Sequence, residues 1–121
     1  MAEWGSTERF IELAGGATEG VVVAQFINRD DDSAGYQAFH RAYLQRFGQE
    51  PGFAGLAGYD AALVLLQALE NQQPGQALKT ALLKGGPYRG AQQSFSFDRF
   101  GDSDRATYLS VIRSGSYRAV E

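Results

Sequence analysis

Few side chains in this sequence could carry chemistry, and their spacing gives them little to work with. His40 is the only histidine, and a metal site or a nucleophile–base pair needs partners that no second imidazole supplies. It falls one position off the apolar stripe of its helix and reads as a surface or boundary residue. Gly52, Gly55 and Gly58 recur at every third position. The stretch lacks the G-x-G start, the Lys-Ser/Thr ending and the preceding strand of a phosphate loop. Two readings stay open there. The glycines let a neighbouring backbone approach, or they leave room for a ligand at a helix start, where amide N–H groups point outward.

Asp98, Asp102 and Asp104 lie in D-R-F-G-D-S-D, a faint echo of a calcium loop without its two-residue alternation or distal glutamate. They read as turn formers that bond the backbone of a hairpin loop. Asp30, Asp31 and Asp32 read as capping and solvating residues, so no metal is expected. Cysteine is absent, which removes disulfides, thiolate metal sites and cysteine nucleophiles together. There is no G-x-S-x-G and no carboxylate pair spaced for acid–base work. An enzyme is disfavoured and no cofactor is called for. The 14 acidic and 11 basic residues are scattered, for a net charge of -3; without a basic block nothing recommends nucleic acid as a partner.

The elements that position these residues follow from periodicity. At 121 residues the chain is the size of one ordinary domain, with enough length to bury a core. Ser6 or Thr7 caps a short helix through Phe10, Ile11 and Leu13, stopped by Gly15-Gly16. The β-branched run Gly20–Ile27 predicts a strand buried on both faces, as in a parallel sheet beneath helices. A helix then carries Tyr36, Phe39, Tyr43 and Phe47 on one stripe and ends at Gly48. Pro51–Gln67 is apolar nearly all round and predicts the central helix, buried on nearly all sides with Leu63, Leu66 and Leu69 in the core. It is too short and too rich in glycine for a membrane span, which takes about 20 apolar residues. A third long-chain helix starts near Pro74, buries Leu78, Ala81 and Leu82 and ends at Lys84-Gly85-Gly86. Beyond it the period drops to two at Phe95 and Phe97, Thr107–Arg113 is a strand, and Ser114-Gly115 turns into another at Tyr117–Val120. The fold class is α/β: one buried parallel strand, three or four helices and an antiparallel C-terminal β segment.

Five phrases in this order resemble one family. They are A-G-G-A-T-E-G-V-V-V from Ala14, F-H-R-A-Y-L-Q-R-F-G-Q-E-P from Phe39, G-Y-D-A-A-L-V-L-L-Q-A-L from Gly58, Y-R-G-A-Q-Q-S-F-S-F-D-R-F-G-D from Tyr88 and the tail Y-L-S-V-I-R-S-G-S-Y. The sequence is similar to the C-terminal third of the branched-chain amino-acid-type (Leu/Ile/Val-binding-protein-like) substrate-binding proteins of ABC transporters, the type I periplasmic-binding fold. It departs from the usual pattern where Gln93 or Ser94 stands in place of a glycine.

The resemblance implies two Rossmann-like, flavodoxin-like lobes that close on a small polar ligand by hinge motion, in receptors roughly three times this length. Residues 1–19 and 88–121 would belong to the second lobe and 20–87 to the first, with crossings near Gly20 and Gly90. Phe53 and Tyr59, with Phe26 after them, are the ligand-binding candidates it leaves in this chain; core packing is the alternative for each. It further implies an amino acid or similar molecule as ligand, a membrane permease as partner and a periplasmic or extracytoplasmic location. The first residues, M-A-E-W-G-S-T-E-R-F, have no signal-peptide pattern, so the expectation is an internal cut in a longer chain. A regulatory protein of the same fold, an amide sensor or an activator of cell-wall enzymes, is the alternative function. Taken alone, the chain is expected to form a homodimer or higher oligomer, because part of its apolar surface would lack its partner.

Overall fold

A computed structural model describes residues 1–120. The elements run α1 (Glu8–Ala14), β1 (Val22–Gln25), α2 (Ala34–Phe47), α3 (Phe53–Asn71), α4 (Leu78–Lys84), β2 (Tyr88–Arg89), β3 (Ser94–Phe95), β4 (Tyr108–Arg113) and β5 (Ser116–Ala119). The helix boundaries follow the local chemistry. The Thr7 hydroxyl accepts from Phe10 N–H at 3.2 Å to open α1, and the Ser33 hydroxyl accepts from Tyr36 N–H to open α2. Gly48, left-handed at φ 67°, closes α2 by donating to the Leu44 carbonyl, the conformation glycine adopts without steric cost.

The strands correct one expectation. β1 pairs antiparallel with β4, Val22 opposite Val111, and β4 pairs antiparallel with β5, giving the order β1-β4-β5. No parallel ladder occurs among the described residues. A continuous apolar run looks the same whichever way its neighbour travels, so composition alone could not set the direction. The run is also not buried on both faces. Val23 and Ile27 are fully buried together with Gln25, whereas Val22 and Phe26 on the opposite face are 46% and 40% exposed. Along the outer edge of β1, the Met1 ammonium donates to the Val22 carbonyl and the Met1 carbonyl accepts from Ala24 N–H. Ser114 and Gly115, both at positive φ, form the two-residue turn expected between β4 and β5.

Three apolar clusters hold the elements together. Val23, Ile112 and Tyr117 pack with Phe10, Ile11 and Val21, which seats α1 on the sheet. Ile27, Tyr36, Phe39, Leu56 and Ala91 join α2 to the first half of α3. Val64, Ala68, Tyr88 and Phe95 join its second half to the β2–β3 hairpin, with Leu82 of α4 alongside. β1 serves two of these cores, through Val23 in one and Ile27, just beyond its end, in the other.

The central helix differs from expectation in how much of it is covered. α3 buries a single i, i+4 stripe, Leu56, Asp60, Val64 and Ala68. Leu65, Leu66 and Leu69 are exposed, Leu66 by 62%. Leu78 of α4 is likewise exposed and Phe47 ends the α2 stripe in solvent. The reason is geometric: α2, α4 and the β2–β3 hairpin all approach α3 from one side. The helix also runs unbroken through Gly55 and Gly58 for 19 residues, so its length and composition do suit a membrane crossing. What ties it into a folded domain is the polar member of its buried stripe. Asp60 is 1% exposed, pairs with the Arg105 guanidinium and accepts from the Ala91 N–H at 2.8 Å.

Two outcomes follow from these contacts. Removing one partner of a buried ion pair strands the other, at a cost of about 3–5 kcal/mol. Asp60→Asn and Arg105→Gln are each expected to lower the urea midpoint strongly, and the double replacement to lower it by less than the sum. Additive losses would show that the two groups are not coupled. The second outcome concerns pH. Burial raises the phenol pKa of Tyr36, Tyr88 and Tyr117 above the ordinary tyrosine value. A raised pKa means that the folded state holds the proton more tightly. Its stability is then complete below about pH 10 and is lost as pH rises through the folded value. The Tyr88 hydroxyl donates to the Ala81 and Leu82 carbonyls. Tyr88→Phe is therefore expected to melt lower at pH 8, by about 1 kcal/mol, but to lose less stability in an alkaline thermal series. An unchanged alkaline slope would count against a titrating Tyr88.

Candidate binding cleft

The start of α3 faces the start of α1 across a cleft of about 390 Å³. Phe53, Ala54 and Gly55 form one wall, Thr7, Glu8 and Glu12 the other, and Tyr43 and Glu50 complete the lining. No side chain caps α3, so its first amides and the positive end of its dipole lie at this wall. An acidic group already stands near them: a Cβ on Gly52 would lie 3.2 Å from Glu8 Oε2. The other oxygen of that carboxylate, Oε1, receives Arg29 Nη1 at 2.7 Å.

A second cleft, about 370 Å³, adjoins the first and shares Glu8 and Glu50 with it. Arg29, Tyr36 and His40 form one side, with Ile11, Gly115 and the first residues of β5, Ser116 to Arg118, opposite. His40 Nε2 is hydrogen-bonded to Glu50 Oε2, so the lone histidine is a boundary residue with a carboxylate partner. Both clefts therefore carry acidic side chains from α1 and from the α2–α3 link. The first cleft has no cationic side chain in its lining and suits a ligand with donor groups better than a bare anion, whereas the second adds Arg29, His40 and Arg118.

The three sequence candidates are not brought to one place. Phe53 lines the first cleft and packs on the cluster of Ile27, Tyr36, Phe39, Leu56 and Ala91. Tyr59 is 41% exposed with its ring 4.7 Å from that of Phe39, and lines neither cleft. Phe26 is on the open face just beyond β1. The glycines separate too. A Cβ on Gly55 would meet the Tyr43 ring at 2.9 Å and one on Gly52 the Glu8 carboxylate at 3.2 Å, while one on Gly58 would meet nothing. Close approach, in both cases by a side chain, bears on Gly52 and Gly55 and not on Gly58. Two of the three aspartates of the D-R-F-G-D-S-D loop bond its backbone as expected, while Asp102 takes part through its own amide and carbonyl. Asp98 Oδ1 accepts from the Phe100 and Asp102 amides and Asp104 Oδ1 from the Ser96 amide. In the other acidic run, Asp31 bonds the Ser33 amide and Asp30 reaches across to the Ala119 amide.

Sequence reasoning offered neither Glu8 nor Arg29 as a site residue. Neither stands in a motif. The one available signal was that Arg29 is the only cation between Gly20 and Tyr36, in a loop otherwise rich in aspartate.

Comparison with known proteins places the chain among relatives. The family model described as periplasmic binding protein matches residues 1–116. A leucine-binding protein of Thermotoga maritima shares the fold, with a TM-score of 0.84 and 22% identity over 99% of this chain and 35% of its own. An ABC transporter substrate-binding protein of Desulfitobacterium hafniense is 30% identical, with a TM-score of 0.80 over 88% of this chain and 33% of its own. A structure from the same organism, of such a protein in complex with Leu, is 25% identical, with a TM-score of 0.78 over 93% of this chain and 38% of its own. The chain thus spans about a third of the length of these structures. No curated protein matches it.

Proposed function

The chain belongs to the periplasmic binding protein family, and we propose that it forms part of an extracytoplasmic solute-binding receptor of an ABC transporter, for amino acids or related small polar molecules. One observation carries this reading: nearly the whole chain matches about a third of a substrate-binding protein that holds leucine. The receptor would work in the periplasm by hinge closure, its closed form recognised by a membrane permease. Residues 1–19 and 88–121 would lie in one lobe and 20–87 in the other. A crossing along β1 is supported by its two ends: it runs from the Val23 core, which holds α1 and β5, to the Ile27 core, which holds α2, α3 and Ala91. Gly20, at φ 80°, stands at one crossing. Gly90, whose Cβ would meet Asp60 at 2.9 Å, stands at the other.

Phe53, Tyr59 and Phe26 are the aromatic contributions of this segment to the ligand's surroundings in this reading, Phe53 through the cleft it lines. The groups that hold the ligand's amino and carboxylate ends would come mostly from the rest of the receptor. Calorimetry of the complete receptor is expected to give binding of at least one small amino acid. Absence of heat with every amino acid, amide and small carboxylate would end the transport reading. The 121-residue chain by itself is expected to self-associate, because Leu65, Leu66 and Leu69 and the outer face of β1 are open. A monomeric mass by light scattering at micromolar concentration would refute that.

A further inference from the structure

Between β1 and α2 the chain is held at three points by elements from the two ends of the sequence. Arg29 Nη1 reaches Glu8 Oε1, on the first turn of α1, at 2.7 Å. The same guanidinium lies over the Tyr117 ring of β5, 4.8 Å from its centroid. Next to it, Asp30 Oδ2 accepts from the Ala119 amide at 3.0 Å. Three contacts made by two adjacent residues fix this loop against α1 and β5 together. The Arg29 side chain is 16% exposed, and its Nε and Nη2 are buried without an acceptor. Glu8 is therefore the anchor on which the guanidinium depends, and loss of either partner leaves a charge poorly compensated.

We propose that Arg29 is a positioning residue, a clamp that holds the loop between β1 and α2 against α1 and β5, at the point where the chain leaves the β1-β4-β5 sheet for α2. The cleft it lines has Ile11 and Tyr117 on one wall and Tyr36 and His40 on the other. Arg29 and Tyr117 are tied to one sheet through β1, β4 and β5, so the clamp sets the angle at which the loop delivers α2, with Tyr36 and His40, to the opposite wall. In the receptor, the clamp then favours the closed arrangement, and the apparent affinity for ligand falls as that population falls. This consequence rests on the receptor reading above; the clamp itself stands on contacts within the chain.

The test uses two readouts. In the complete receptor, titrated with the amino acid it binds best, Arg29→Gln is expected to raise Kd by roughly threefold to tenfold. Arg29→Lys, which keeps a cation within reach of Glu8 and Tyr117, is expected to recover most of that loss. An unchanged Kd in Arg29→Gln, or an equal loss in both variants, overturns the clamp as a bias on closure. In the 121-residue chain, hydrogen exchange at the Ala119 amide is expected to accelerate severalfold in Arg29→Gln, while that of the Leu44–Gly48 bond in α2 stays at its original rate. Equal acceleration at both sites, or none at Ala119, overturns the clamp itself. If the receptor binds no ligand, the transport reading fails, and the exchange result still decides whether Arg29 holds the loop.

Discussion

The arrangement depends on a carboxylate that has been taken out of water. Asp60 sits in the middle of the buried stripe of α3, between Leu56 and Val64. Its two oxygens are committed to Ala91 N–H and the Arg105 guanidinium. Burying an ionised group is costly unless it is both paired and hydrogen-bonded, so this helix can occupy its site only when the chain from Ala91 to Arg105 is in place beside it. Arg105 in turn lies over the Phe95 ring, 4.4 Å from its centroid. One polar constraint thereby fixes the central helix, the β2–β3 hairpin and the approach to β4. Gln67 adds a second tie two turns along, its amide exchanging hydrogen bonds with both backbone groups of Arg89.

Around that fixed centre, the apolar clusters divide unevenly. The core of α2, α3 and the hairpin is the larger, and the sheet of β1, β4 and β5 has a small one of its own, covered by α1. β1 connects them because its period-2 alternation keeps Val23, Gln25 and Ile27 on one face. The polar member of that face, Gln25, donates from its amide to the Ser6 hydroxyl at 2.8 Å, while its Oε1 is buried without a donor. A strand with its ends in two cores is a natural place for two bodies to meet. It is also why the loop after it, with Arg29 and Asp30, touches α1, β5 and α2 at once.

Much of the local structure was legible in the residues. The cap at Thr7, the stop at Gly48, the Ser114-Gly115 turn and the bonds Asp98 makes in its loop are each decided within four or five positions of chain. The burial of α3 was not. Its apolar residues cover the whole circumference, and the sequence holds no sign of which side the other elements will approach. The candidate site divides in the same way. Phe53 was recoverable because it opens the helix that walls the cleft. Glu8 and Arg29 were not, because they lie 21 positions apart in the chain and meet only when α1 and the β1–α2 loop are seated on the same sheet.

The sequence by itself determined the four helices, the ends of α1 and α2, the antiparallel tail and the family to which the chain belongs. Each of these rests on local backbone chemistry or on the order of short phrases. Only the tertiary structure decided the antiparallel direction of β1, the one-sided burial of α3 and the pairing of Asp60 with Arg105 and of Glu8 with Arg29. Those are contacts between residues distant in the chain. Their energies depend on burial and distance, which a linear pattern of residue types does not contain.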